Sequence, residues 1–290
     1  MSGPVSYLLF DGVLRENLLP WLYQQDEPLE ITPLYVGTRW AELHDIGPVL
    51  VQPSPTGQLL ANYERHASLW SCCSLLTSTQ PSKVLVGHLQ QFIAVTDTLS
   101  SHSLLRFADP LVIQYWLDSY GLEALGQILG PIDEWRVAAH QPRWAQTDEA
   151  AWLRFSSSAS RTIEPARSPN HLGEEQINAL DQAHERRLQD RLDRWIEETY
   201  PAFRSARLDT WGAWLEKRLH AAREWGLTTE RSATVWLDGC IRLGDDAFNT
   251  TNSPYSQWLA ARPEARASHP DQRIQAFDQA YLSRHQKDLA

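Results

Sequence analysis

The chain is poor in the side chains that most metal and cofactor chemistries require. Its 290 residues include three cysteines, Cys72, Cys73 and Cys240. None forms a CxxC pair, and two adjacent cysteines make a poor local metal site. So low and odd a number suits a reducing cytosol. Ten histidines are scattered singly, without HExxH, HxxxH or a Cys/His cluster at ligand spacing. No GxGxxG or GxxxxGK[ST] supplies a phosphate-cradling loop, and no GxSxG supplies a nucleophile elbow. No uncharged run is both long and apolar enough to span a bilayer. The first apolar run stops at Asp11 and lacks the basic flank of a secretory signal. The expectation is a soluble cytoplasmic protein without cofactor or metal.

Basic residues are scarce in the first half. Residues 1–160 hold 8 Lys and Arg against 16 Asp and Glu; residues 161–290 hold 18 against 20. An acidic surface repels phosphate backbones and anionic headgroups, which argues against nucleic acid and membrane as partners. It is compatible with a basic or apolar protein partner. Tryptophan, by contrast, is plentiful at 13 residues, and its large apolar area with a polar handle suits cores and interfaces alike.

Short apolar runs alternate with amphipathic ones as far as residue 155. Strands are predicted at VSYLLF (5–10), ITPLYV (31–36), PVLVQP (48–53), WSCCSLLTS (70–78), SLLRFA (103–108) and GPIDEWRVA. Helices are predicted between them, at GVLRENLLPWLYQQ, TRWAELHDI, GQLLANYERHA and SKVLVGHLQQFIAV, the last with Thr77–Thr79 as caps. DPLVIQYWLDSYGLEALGQIL gives one or two more, with Asp109 as N-cap and Pro110 at the first helical position. The expectation is an α/β lobe over 1–155, a mostly open sheet flanked by helices. Residues 156–173, rich in Ser, Pro and Arg, read as a linker or long loop.

An all-α lobe is expected over 174–290. In its first helix Ile177, Leu180, His184, Leu188, Leu192 and Trp195 share one stripe at helical spacing. A second helix stacks Leu208, Trp211, Leu215, Leu219 and Ala222 and stops at Gly226; a third starts at Thr228 or Thr229. No internal repeat is present.

Two stretches raise the question of catalysis. YLLFDGVL looks like the first strand of a haloacid-dehalogenase-type phosphatase with Asp11 as nucleophile, and LGDDAFN (243–249) looks like that fold's late acidic motif. The acid/base position two residues beyond Asp11 is Val13, which cannot carry a proton. Asp245 and Asp246 follow a helical segment rather than a strand end. The competing reading has Asp11 capping the next helix and Gly244-Asp245-Asp246 as a helix-stop turn.

Four segments in order carry a resemblance: YLLFDGVL, PLYVGTRWAELHDIGPVLVQ (33–52), LLRFADPLVI (104–113) and GPIDEW (130–135). Together they resemble the domain of unknown function found in type VI secretion effector chaperones, also called adaptors or Tec-type proteins. GLTTERSATVWLDGCIRLGDDAF is similar to that family's helical C-terminal part. The resemblance implies a non-catalytic cytoplasmic adaptor that binds a toxin effector and promotes its loading onto a VgrG or PAAR spike protein. The alternatives are the phosphatase and a generic cytosolic interaction module.

Within the matching segments Asp11, Gly12, Tyr35, Gly37, Arg106, Asp109 and Pro110 read as structural. Gly37 supplies backbone freedom and Thr38 a cap, and Arg106 pairs near the helix N-terminus that Asp109 caps. Effector contacts are expected on the helical lobe and the cleft it makes with the first lobe. Trp214 and Trp225, about three turns apart on nearly one side of a helix, are the candidates, because aromatic anchors dominate such interfaces. The same two residues are also placed to close the core.

Overall fold

The computed structural model describes residues 3–145, 147, 149–156 and 170–282. The chain divides into two compact units, one of Met1–Gln141 and Ala145–Glu185, the other of Pro142–Trp144 and Arg186–Ala290. The expected linker at 156–173 falls largely on residues 157–169, outside the described residues.

The first unit is built on β1 (Val5–Asp11), β2 (Glu30–Pro33), β3 (Pro48–Gln52), β4 (Cys73–Ser78), β5 (Ala94–Thr96), β6 (His102–Leu104), β7 (Glu134–Ala138) and β8 (Trp152–Ser156). Six of them form one sheet in the order β2-β3-β1-β4-β7-β8, antiparallel throughout. β5 and β6 make a separate small hairpin. Flanking helices are α1 (Leu18–Tyr23), α2 (Gln58–Arg65), α3 (Ala67–Trp70), α4 (Ser82–Leu89), α5 (Pro110–Asp118) and α6 (Leu122–Leu129).

Burial explains why the central strands read as unbroken apolar runs. Tyr7 and Leu9 of β1 pack with Leu85, Leu89, Ile113, Trp116 and Leu125 from α4, α5 and α6. Leu8 and Phe10 point the other way, onto Leu18, Leu22, Leu59 and Tyr63 from α1 and α2. A strand covered on both faces has no reason to alternate polar with apolar residues. Each such Leu or Phe, fully buried, contributes about 1.5–3 kcal/mol by transfer.

Several local expectations are corrected. The helix expected from Gly12 begins only at Leu18, because the Asp11 carboxylate takes the N–H groups of Val13 and Leu14 and closes a turn. Asn17 then sits in the left-handed region at φ 55°, and Pro20 falls in the first turn, where its missing N–H costs no hydrogen bond. TRWAELHDI holds only a 3-10 turn, Ala41–Leu43. Of SLLRFA only Ser103 and Leu104 are in a strand, since the chain must turn at Arg106–Asp109 to bring Asp109 to the start of α5. Thr77–Thr79 do not cap α4; its N-cap is Pro81. β8 is not among the predicted strands, and it ends at the first residue of the expected linker, Ser156.

The other helices are α7 (Glu174–Thr199), α8 (Pro201–Ser205), α9 (Trp211–Glu224), α10 (Glu230–Leu243), α11 (Pro254–Ala260) and α12 (Pro270–Phe277). His184 is exposed, not on the core stripe; Ala179, Ala183, Leu192 and Ile196 are the buried apolar positions of α7. Asp193, also buried, accepts hydrogen bonds from Arg204 and from the Trp211 indole, which satisfies its charge inside the second unit. Gly226 stops α9 at φ 94°, and Thr229 caps α10 by accepting from Ser232. Among the described residues no helix is long and apolar enough to cross a membrane.

Candidate functional site

The most distinctive polar cluster of the first unit lies at the end of β1. Asp11 is held there by backbone on both sides: its N–H donates to Cys72 (2.9 Å), and the N–H of Gly12 donates to Gly47 (3.2 Å). Its Oδ1 accepts from Val13 (2.9 Å) and Leu14 (3.1 Å). One guanidinium nitrogen of Arg106, Nη2, bridges both carboxylate oxygens at 3.0 and 2.9 Å. The same nitrogen lies 3.6 Å from Asp109, whose Oδ1 accepts from Leu111 at the start of α5, with Pro110 in the first turn. Burial pushes the Asp11 carboxyl up from the ordinary aspartate value; the charge of Arg106 opposes this and that of Asp109 adds to it.

Close backbone approaches hold this corner together. A Cβ on Gly12 would stand 2.6 Å from the Gly47 carbonyl oxygen, and one on Gly47 would stand 2.5 Å from the Tyr35 ring. Tyr35 is buried, and its hydroxyl is pushed up by burial and by the nearby Asp11 charge. Its carbonyl accepts from the Thr38 N–H and Oγ1, while Thr38 Oγ1 accepts from Trp40 and Gly37 supplies φ 78° between them. Gln90 donates to the carbonyls of Leu34 and Val36, tying this turn to the end of α4.

Over the ion pair lies a small pocket of about 70 Å³, lined by Asp11, Tyr35 and Arg106 and by the aliphatic side chains of Val13, Leu43, Ile46 and Leu104. These four are exposed at 51, 41, 51 and 40%. Sequence reasoning missed them as a group, as it missed Gly47 and Gln90. The available signal was Leu43 and Ile46, three apart in a stretch read as an amphipathic helix yet followed directly by the strand at Pro48.

Among the described residues the Asp11 oxygens accept from two N–H groups and a guanidinium, all of them donors. Asp245 accepts from the Trp214 indole at 2.9 Å and, through its carbonyl, from Arg218, in the turn after α10 that Gly244 opens at φ 98°. Among the described residues no group of three or more His, Cys, Asp or Glu is placed to hold a metal ion.

Trp214 and Trp225 are both partly buried. Trp214 stacks on Trp211 and meets Phe203 edge-on. Trp225 packs against Trp236, Phe248 and Tyr255, with the Arg273 guanidinium over its ring. Much of each indole is therefore in contact with the second unit's own aromatic core.

Residues 6–127 match the family model described as domain of unknown function DUF4123. All of the cluster from Asp11 to Leu111 falls in this DUF4123 region. No curated protein and no solved structure matches the chain.

Proposed function

We propose that the protein is a non-catalytic adaptor of type VI secretion, which binds a toxin effector in the cytoplasm and promotes its loading onto a VgrG or PAAR spike protein. The reading is supported by the ordered segments YLLFDGVL, PLYVGTRWAELHDIGPVLVQ and LLRFADPLVI, which lie within the DUF4123 region. The observation that carries it is the state of Asp11. The one carboxylate at the position of a phosphatase nucleophile is neutralised by Arg106 and two backbone donors, and aliphatic side chains surround it. Such a corner is suited to receive a polypeptide without altering it.

The test is co-expression with candidate toxin effectors from the same genome, followed by size-exclusion chromatography and a secretion assay. A stable complex, and loss of toxin export when the adaptor is deleted, are expected. A magnesium-dependent phosphatase turnover abolished by Asp11→Asn overturns the reading, as does normal export without the chain. Trp214 and Trp225 remain proposed effector contacts: a folded Trp214→Ala/Trp225→Ala variant is expected to bind less effector, and undiminished binding rejects them.

A further inference from the structure

The apolar rim over Asp11 has features of a docking surface of its own. Ten large apolar side chains are exposed among the described residues, and four of them, Val13, Leu43, Ile46 and Leu104, line this single pocket. Isolated exposed aliphatics are ordinary, but a cluster around a concavity marks an interaction site. Its walls are anchored: Asp11 and Gly12 at the end of β1, Ile46 and Gly47 before β3, Leu104–Ala108 before α5. A rigid wall costs little ordering entropy when something binds. Arg106 also lines the pocket, and its Nε is buried without a hydrogen-bond partner.

Charge selects the occupant. Arg106 is already matched by two carboxylates, Asp11 and Asp109. Next in sequence to the apolar rim residues, Glu42 and Asp45 are exposed, as is Glu16, with His44 3.2 Å from Asp45; of the neighbouring arginines, Arg15 lies over the Trp21 ring and Arg39 over the Trp40 ring. Residues 1–160 carry twice as many acidic as basic side chains. We infer that this pocket receives a segment of a partner polypeptide, one aliphatic side chain seated over the Asp11–Arg106 pair and flanking Lys or Arg residues facing Glu42 and Asp45. The inference rests on the adaptor reading for the partner being a polypeptide, and adds a contact in the DUF4123 region to the one proposed on the helical region.

The experiment pans a randomised peptide display library against the full chain, then measures enriched synthetic peptides by fluorescence anisotropy. Aliphatic residues flanked by Lys or Arg are expected to be enriched. Ile46→Ser/Leu104→Ser, both at exposed positions, is expected to weaken the peptides by about tenfold or more while the melting temperature holds. Glu42→Gln/Asp45→Asn is expected to weaken them less and to flatten their salt dependence. Enriched peptides without basic residues, or equal affinity for the Ile46→Ser/Leu104→Ser variant, overturn the inference. So does sedimentation showing a wild-type dimer that this variant dissolves, since a second copy then fills the pocket. If those peptides fail but the wild-type complex with the toxin forms, only this surface is rejected; if that complex is itself absent, the adaptor reading falls.

Discussion

Asp11 holds a charge where water scarcely reaches it, at 4% exposure, and its neighbours decide how stable that charge is. Among the described residues Arg106 is the cation paired with it, and is itself 37% exposed along its side chain. Removing a fully buried partner costs 3–5 kcal/mol, but solvent screens a pair that is open on one side, so Arg106→Met is expected to cost about 2 kcal/mol at neutral pH. Without Arg106 the folded-state carboxyl rises further above its unfolded value. The ionised form is then the destabilised one, so the deficit is present at neutral pH and shrinks as pH falls through the folded value toward the ordinary aspartate range. Denaturant titrations of wild type and variant at several pH values check both statements. A deficit that does not change with pH would mean that the guanidinium acts by packing alone.

At the level of elements, Asp271 of α12 secures the start of α10. It accepts from the Thr228 N–H (3.1 Å) and hydroxyl (2.6 Å), and from the Thr229 N–H. Burial on its own would raise this carboxyl; hydrogen bonds from Thr228, Ser232 and the two N–H groups outweigh burial and bring it down to about 2. A depressed folded value contributes stability above the unfolded pKa, near 4, that is lost as pH falls toward 2, and the shift corresponds to about 2 kcal/mol. Asp271→Asn is expected to lose most of that contribution at neutral pH and to show a shallower acid transition by circular dichroism. The sequence offered Thr228 or Thr229 as the cap but not Asp271, because that bond spans more than forty residues and leaves no local pattern. The same distinction runs through the fold. Val5–Asp11, Pro48–Gln52, Cys73–Ser78 and Pro110–Asp118 were legible because burial on both faces, or a cap followed by proline, writes itself into adjacent residues. The turn after Asp11 and the end of the strand at Leu104 were not, since each is set by a carboxylate whose partner is local backbone rather than by periodicity. In the candidate site Asp11, Arg106 and Asp109 were each legible, but the contact of Arg106 with Asp11, 95 positions away, was not.

Across the whole molecule the thiols divide between the two units. Cys72 and Cys73 are buried in the first and Cys240 in the second. Burial raises all three, Cys73 well above the usual thiol value and Cys240 to about 12. None is expected to react with iodoacetamide in the native protein at neutral pH, because the thiolate is the nucleophile. Labelling resolved by mass spectrometry along a urea series is expected to give each unit's own transition, and prompt native labelling would contradict this. One feature of the sheet reaches further. The first strand of the chain is the third of six in space, paired with β3 on one side and β4 on the other. A chain synthesised without residues 3–12 is therefore expected to have a vacant slot rather than a shortened edge, and a synthetic peptide of that sequence to fill it. Restored near-ultraviolet ellipticity on adding the peptide would make the protein a split reporter, reassembled by its own opening strand.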